Sequence, residues 1–447
     1  MCGILVYSHG PPSFWLEQQV YNRGPDFYRK LNSKYHFESS VLSLRDPPTP
    51  QPLEKNGHIL CYNGQIYNVD GNDTEFVFES ILSRGIRTLF GLEGEFALVY
   101  FDGDHLWFCR DSVGRRSLLY KINGSEISIC SVGQTGFVEC DQGTLYKYNG
   151  TELTIEHREP KIAVSPFGVI KPTNSLYTVL GEAVKCRMVL PKSQSSIAVL
   201  FSGGLDCTVL AKLMDLCLSP GIEIELLNVA FENRRTASSF DTPDRLLAIR
   251  SHEELNKNAN RPIKLTLLDI PYEDAVAYRS KVSELMYPKT TVMDRDIALA
   301  FYCASQATPQ STAKILVSGL GADELFGGYS RHTSAAAKGP DVLAAELELD
   351  LNRLGSRNLG RDDRVCSCWG KELRYPFLDS RVINFSVALD GSQKASSTDT
   401  KIILRDLARL LGLENVATEK KRAIQFGARS AKMDPGSGKA KGTDSLD

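Results

Sequence analysis

Up to about residue 155, apolar and polar positions alternate in short runs: "CGILVYS", "HILCYNGQIYN", "FALVYFD", "HLWFCRD", "EISICSV" and "GTLYKYNG". Gly, Asn, Asp and Ser punctuate them at close intervals, a pattern that predicts antiparallel strands in stacked sheets. One window departs from it. In "DTEFVFESILSRG", Phe76, Glu79, Ser80 and Ile81 fall around a helix that Gly85 would end. From 158 to 175, "REPKIAVSPFGVIKPTNS" has three prolines and no period, and reads as a linker.

Beyond the linker the pattern becomes strand, turn, helix. "SIAVLF" (196–201) precedes a glycine turn and "CTVLAKLMDLCL", in which Leu210, Leu213, Met214 and Cys217 form the stripe of an amphipathic helix. "IEIELLNVAF", "IKLTLLDI" and "KILVSG" are further strand candidates separated by long helical segments. This alternation predicts a doubly wound parallel α/β sheet with helical additions. The last residues, "GARSAKMDPGSGKAKGTDSLD", are poor in apolar side chains and predict a disordered tail. The organisation expected is therefore 1–160, 161–430 and a tail over 431–447.

Composition narrows the class. The 447 residues carry a net charge of −2, which offers no electrostatic footprint for nucleic acid or an anionic membrane. No apolar run approaches the ~20 residues a membrane span needs. "MCGILVYSHG" lacks the basic and long apolar regions of a signal peptide. Eleven cysteines without paired spacing point to reduced thiols and a cytoplasmic location. Cys366 and Cys368 form CxC without a nearby His-rich segment, so they read as structural thiols.

Three stretches carry chemistry. In "FSGGLDCT" (201–208) two glycines between a strand and a helix let backbone N–H groups approach an anion. Without GxxxxGK[ST] anywhere in the chain, this is not a Walker A loop. "KILVSGLGADELFGGY" (314–329) ends a strand in glycines and the Asp323-Glu324 pair, the composition of a metal-phosphate site, with Leu320 in its midst. Cys2 follows the first methionine. Trimming of that residue would place a thiol beside an α-amine of pKa ~8, which could act as its base.

"SGGLDC" resembles the pyrophosphate-binding loop of ATP pyrophosphatases, with Cys207 where a serine is usual. "RGPD" (23–26), Leu44-Arg45, "YNGQIYN" (62–68), "GNDTE" (71–75) and "CRDSVGRRSLLY" (109–120) follow the order seen in N-terminal-nucleophile glutamine amidotransferases. With "FDTPDR" (240–245), "GGYSRH" (327–332) and "ELRYPFLD" (372–379), the chain resembles a divergent member of the glutamine-hydrolysing asparagine synthetase family over residues 1–430 or so. The resemblance implies an Ntn-hydrolase αββα sandwich followed by an ATP-pyrophosphatase-type parallel α/β domain.

It also implies roles. Cys2 would attack glutamine, with Asn63 and Gly64 as the oxyanion hole. Arg45 would hold the substrate carboxylate, and Gln65 and Asp73 its ammonium. Ser202, Gly203, Gly204, Asp206, Cys207, Val229, Ser318 and Gly319 would bind ATP, with Asp206 and Asp323 reaching Mg2+. The acceptor would be a carboxylate, aspartate first among candidates, and a homodimer is a candidate assembly. The product would be asparagine, with glutamate, AMP and pyrophosphate released.

Several positions depart from the family pattern. Gln65 replaces a glutamate, and only "VDGN" separates "NGQIYN" from "DTE". Leu320 stands where the family has a proton-handling glutamate. Aligning on Gln425-Phe426 puts Ala423 at the position of a lysine, although Lys420, Lys421 and Arg422 lie just upstream. Two alternatives therefore stay open: an adenylating ligase with another carboxylate acceptor, or a catalytically weakened binding or assembly protein.

Overall fold

The computed structural model describes residues 2–10, 12–167, 173–234, 240–307, 310–433 and 441–446. The first domain contains β1 (Gly3–Tyr7), α1 (Phe14–Arg23), β2 (Phe27–Asn32), β3 (His36–Val41), β4 (Leu53–Lys55), β5 (His58–Ile66) and α2 (Asp73–Arg84). It continues with β6 (Gly94–Phe101), β7 (Leu106–Arg110), β8 (Leu119–Asn123), β9 (Glu126–Cys130), β10 (Val138–Glu139), β11 (Thr144–Tyr148) and β12 (Leu153–Arg158). They form two six-stranded sheets, ordered β10-β8-β9-β1-β3-β2 and β12-β11-β7-β6-β5-β4, in which every pairing is antiparallel.

Period-two alternation builds the layers. Ile4 and Val6 meet Ile59, Cys61, Ala97 and Val99 between the sheets. Leu60, Tyr62 and Leu98 face the other way and cover Val77, Phe78 and Ile81 of α2. With α1 on the outer side of β1 and β3, the layers are α, β, β, α. Asn72 caps α2, accepting N–H groups from Thr74 at 2.9 Å and Glu75 at 3.4 Å.

The second domain runs α3 (Thr173–Cys186), β13 (Ser196–Leu200), α4 (Leu205–Cys217), β14 (Glu223–Phe231), α5 (Pro243–Lys257), β15 (Ile263–Ile270), α6 (Tyr272–Leu285), α7 (Val292–Gln306) and β16 (Ile315–Val317). Then come α8 (Ala322–Phe326), α9 (Ser330–Ala336), α10 (Pro340–Leu354), α11 (Gly360–Ser367), β17 (Glu372–Arg374), α12 (Ser380–Val387), α13 (Ile402–Leu410) and α14 (Ile424–Gly427). Its five strands, ordered β15-β14-β13-β16-β17, are all parallel. The chain adds strands on one side of β13 and then on the other, so the loops after β13 and β16 diverge and leave a crevice.

Three expectations change. Helix α4 is not amphipathic in place: apolar residues from Leu205 to Met214 are buried all round it, and so are Lys212 and Asp215, because α3 and α13 pack on the side away from the sheet. The 158–175 linker is shorter at its far end, since α3 begins at 173, and residues 168–172 of it lie outside the described residues. Composition assigns 441–446 to a loose tail. Instead the Val292 and Met293 N–H groups donate to the carbonyls of Asp444 at 3.0 Å and Gly442 at 2.9 Å. Residues 434–440 and 447 lie outside the described residues.

The domains meet through buried ions. Arg116 lies between Glu95 at 3.2 Å and Glu372 at 3.9 Å, and Arg187 between Glu95 at 2.8 Å and Asp379 at 2.6 Å. Arg364 pairs with Glu139 at 2.9 Å, and Arg23 with Asp363 at 2.8 Å. Such pairs add little net stability, but removing one partner strands the other charge away from water.

Candidate functional site

Cys2 immediately precedes β1 and is 8% exposed. Alternation along β5 puts Asn63 on the same side as Ile59 and Cys61, toward β1. Its Oδ1 accepts the Cys2 N–H at 2.8 Å, which leaves the Nδ2 donor buried and without a partner among the described residues. A buried unsatisfied donor normally costs stability, and this one belongs to the side chain that holds the Cys2 N–H. Gly64 follows it at a close approach of β5 and β6, where a Cβ would lie 2.7 Å from that of Phe96. Gln51 completes the surround: its Oε1 accepts the Tyr62 N–H at 2.7 Å and its Nε2 lies 3.9 Å from the Cys2 sulfur. Burial pushes the thiol pKa up, so the resting group is protonated at neutral pH.

Arg45, Gln65 and Asp73 line the same depression. Arg45 Nε donates to Gln65 Oε1 at 2.9 Å, one terminal nitrogen to the Ile66 carbonyl at 2.6 Å, and the other to the carbonyls of Val69 and Gly71. All three nitrogens are thus engaged by the protein itself. Asp73 is buried beneath the start of α2, where its Oδ2 accepts the Ile66 N–H at 2.9 Å and the Tyr62 hydroxyl at 3.2 Å. Burial raises its pKa despite the opposing Arg45 charge. The cavity over Cys2 measures about 30 Å³, room for water and not for an amino acid.

The crevice beyond β13 and β16 holds a second and larger cavity, about 390 Å³. The glycine turn shapes one wall. Gly203 has φ +78°, and a Cβ there would lie 2.5 Å from the Ala248 backbone of α5, so only glycine fits. Ser202 Oγ accepts the Gly204 N–H at 3.3 Å, and the Cys207 thiol, 3.6 Å from that oxygen, donates to the Gly204 carbonyl at 3.3 Å. Ser318 and Gly319 extend this wall, and Ser318 Oγ accepts the Leu320 N–H at 3.2 Å. Val229, late in β14, lies with Leu227, Ile297 and Phe301 on the apolar side.

Asp206 and Asp323 converge, and a lysine stands between them. Lys401 Nζ is 2.5 Å from Asp206 Oδ2 and 2.6 Å from Asp323 Oδ1. Lys421 pairs with the other Asp323 oxygen. Burial alone would raise the Asp323 pKa, but the two ammonium groups outweigh it and hold the carboxyl below the usual range. Neighbouring Glu324 accepts the Tyr329 hydroxyl at 2.6 Å. Leu320 and Ala423 line the cavity, so neither supplies a charge there. Lys421 does, from two residues upstream of the aligned position.

Lys401 and Gln51 carry no local signal that singles them out in the sequence. Lys401 lies 195 residues from Asp206 and takes a left-handed backbone, φ +54°, which no pattern around "TDTKIIL" announces. Among the described residues no group of three or more His, Cys, Asp or Glu side chains gathers as a metal centre. No described helix is long and apolar enough to cross a membrane.

Comparison with known proteins adds one family match and three relatives. The family described as asparagine synthase matches residues 175–342 and 332–440. An asparagine synthetase domain-containing protein of Saccharomyces cerevisiae is 38% identical, over 95% of this chain and 89% of its own. Asparagine synthetase domain-containing protein 1 of Gallus gallus is 30% identical, over 94% of each. A putative glutamine-hydrolysing asparagine synthetase of Methanocaldococcus jannaschii is 29% identical, over 53% of this chain and 46% of its own.

Proposed function

Because this chain belongs to the asparagine synthase family, we propose that it is a glutamine-dependent, ATP-consuming amidotransferase with one active site in each domain. In the first, the α-amine of Cys2, exposed by removal of Met1, takes the thiol proton. The sulfur attacks the side-chain amide carbon of glutamine, giving a glutamyl thioester and ammonia, and water hydrolyses the thioester to glutamate. The free Asn63 Nδ2 is aimed to donate to the oxyanion, a contact worth ~3–4 kcal/mol in such sites. Glutamine entry requires the cavity over Cys2 to open and Arg45 to exchange backbone carbonyls for the substrate carboxylate.

In the second site a carboxylate oxygen of the acceptor attacks the α-phosphorus of ATP. Pyrophosphate leaves and an acyl-adenylate forms. Ammonia then attacks the acyl carbon, expels AMP and loses a proton. The turn at Ser202, Gly203 and Gly204, with Cys207, holds the leaving pyrophosphate by backbone N–H groups. Val229 and its apolar neighbours take the adenine beside Ser318 and Gly319.

Asp206 and Asp323 fit a hard divalent cation, since both turn an oxygen to one point that already holds a positive charge. Mg2+ bound there would neutralise the triphosphate. Lys401 would then move from between the carboxylates toward the phosphates, while Lys421 stays on Asp323. The convergence of Asp206, Asp323 and two lysines beside the glycine turn is the observation that carries this reading. Pyrophosphate release from ATP and glutamine with a panel of carboxylates that includes aspartate tests it. Release with none of them would overturn it.

Leu320 favours a narrower second reading, in which the amide-forming step on aspartate is slow. The side chain lines the cavity where an acid would manage the ammonia proton, and loss of such a group typically costs ~10²–10⁴-fold in rate. Pyrophosphate release with little asparagine formed would support it.

A further inference from the structure

Gln51 lies in the segment between β3 and β4, 1% exposed, and its side chain ends on the Cys2 sulfur. The segment is held on both sides of it. The Pro47 carbonyl accepts from Asn72 Nδ2 at 2.8 Å, and the Pro52 carbonyl from the Arg29 guanidinium at 3.3 Å. The Tyr62 N–H, 2.7 Å away, can only donate, so the end of the Gln51 amide that meets it is the oxygen. The NH2 end is thereby turned to Cys2 Sγ, 3.9 Å away, and flipping the amide would set two donors against each other at Tyr62.

In the resting protein that contact returns little. A thiol is a weak acceptor, and among the described residues the sulfur is the one partner of Nε2. Ordering a buried glutamine side chain gives up much rotamer freedom for so weak a bond. The return comes when the sulfur is charged, because a thiolate accepts a charge-assisted hydrogen bond. Few other groups favour that charge. Burial raises the thiol pKa, the Leu42 N–H lowers it, and the carboxylates of Glu372 and Asp73 raise it. The α-amine of a chain trimmed to Cys2 would add one positive charge. Arg45, in the same depression, is committed to Gln65 and to backbone carbonyls.

We propose that Gln51 is a catalytic residue of the first domain, whose Nε2 donor holds the Cys2 sulfur as thiolate before attack and again as the leaving group of the thioester. This rests on the reading of Cys2 as the nucleophile. The S–H bond breaks, its proton passes to the α-amine, and the weak contact with Gln51 becomes a charge-assisted one. The sulfur electron pair then forms the C–S bond, and ammonia leaves with the proton of the α-ammonium. In the second half the amine takes a proton from the attacking water, the C–S bond breaks, and its electron pair returns to sulfur against the same donor. Asn63 Nδ2 and Gln51 Nε2 thus divide the work, one serving charge that develops on oxygen and the other charge on sulfur.

The rate of iodoacetamide modification at Cys2 of the full-length protein, measured across pH, tests the assignment. Peptide mass mapping isolates that site among the eleven cysteines. Gln51→Met removes the donor without adding charge. It should move the midpoint of the rate profile up by about one pH unit and slow modification at neutral pH ~10-fold, the scale of one charge-assisted hydrogen bond. Gln51→Glu keeps an acceptor for the Tyr62 N–H and exchanges the donor for a negative charge. Its midpoint should move further, with modification slowed ~100-fold and a melting temperature close to that of wild type. In both variants kcat for glutamine should fall while KM stays within about threefold. An unshifted midpoint in either folded variant overturns the Gln51 assignment alone. For Gln51→Met this holds even where Gln51→Glu shifts, because the added charge would then account for the effect. So does a raised KM with kcat kept, which would place the amide on glutamine. No modification of Cys2 in wild type at any pH overturns the nucleophile reading as well.

Discussion

Arg23 and Asp363 form an ion pair across the domain boundary at 2.8 Å, with neither side chain exposed to solvent. Arg23 also donates through Nε to the Cys2 carbonyl at 3.1 Å and through its other terminal nitrogen to Ser367 Oγ at 2.5 Å. One guanidinium thus ties Cys2, the proposed nucleophile, to α11 of the second domain. Arg23→Met should lower stability by ~3–5 kcal/mol, because Asp363 would be left buried with only the more distant Arg116, at 4.0 Å, as counter-charge. Adding Asp363→Leu should recover part of that loss. Denaturant unfolding of the two single variants and the double variant checks this, and a double variant less stable than Arg23→Met would argue against it.

If Cys2 is the nucleophile, intact-mass analysis of the purified protein will find Met1 removed and a glutamine-analogue electrophile attached at Cys2. Cys2→Ser should abolish glutamine hydrolysis and leave pyrophosphate release supported by ammonium salts intact. Asn63→Ala should lower glutamine turnover ~10²–10³-fold with the nucleophile present. Near-normal turnover in Asn63→Ala would remove this side chain from the oxyanion hole.

Lys401 holds the position between Asp206 and Asp323, so it competes with a divalent cation for it. In Lys401→Met the two carboxylates repel each other, and the apo protein should melt several degrees lower than wild type. Mg2+ alone should then raise its melting temperature more than it raises that of the wild type. Omitting Mg2+ from the ATP titration should abolish the nucleotide-induced shift in wild type, and Asp206→Ala should abolish it with Mg2+ present. An equal response of wild type and Lys401→Met to Mg2+ would place the cation elsewhere.

Leu320→Glu should raise amide formation on aspartate at least tenfold. Because Lys421 already brings an ammonium group to Asp323, Ala423→Lys should add little. Product analysis by mass spectrometry separates the two contributions, and no gain from Leu320→Glu would mean that another group handles the proton.

Asp244 gives the fold a pH dependence with a definite sign. Burial pushes its pKa up to about 7, against the lowering effect of Arg422 and Lys421. A carboxyl with a raised folded-state pKa stabilises the fold at low pH, and that contribution is lost as pH rises from ~4 through ~7. Asp244→Asn should therefore be relatively more stable than wild type at pH 8 than at pH 5. Melting temperatures of both proteins at the two pH values decide it, and parallel values would show that Asp244 does not titrate in this range.

What the sequence made legible was local. The turn at Ser202–Gly204 was readable because an apolar run, two glycines and a helical run adjoin one another. Strand β2 was not, because it is an edge strand with five of its six residues exposed and no alternation to detect. β17 is three residues long and reads as part of a Pro-containing loop. Asp73 could be read as a helix cap, but Asn72, one residue earlier, does the capping and frees Asp73 for the interior. Lys401 was illegible for another reason. Its partners are set by chain segments far away in sequence.

The ion network between the domains also bears on how the protein must be made and handled. Arg116 and Arg187 each lie between one carboxylate of either domain, Arg23 draws its counter-charge from across the boundary, and β17 contributes Glu372 to the same cluster. Expressing either half by itself would remove the partner charges that the other half supplies to this cluster. Dissection into separate catalytic modules is thus a poor experimental route, and single substitutions in the whole chain are the better one.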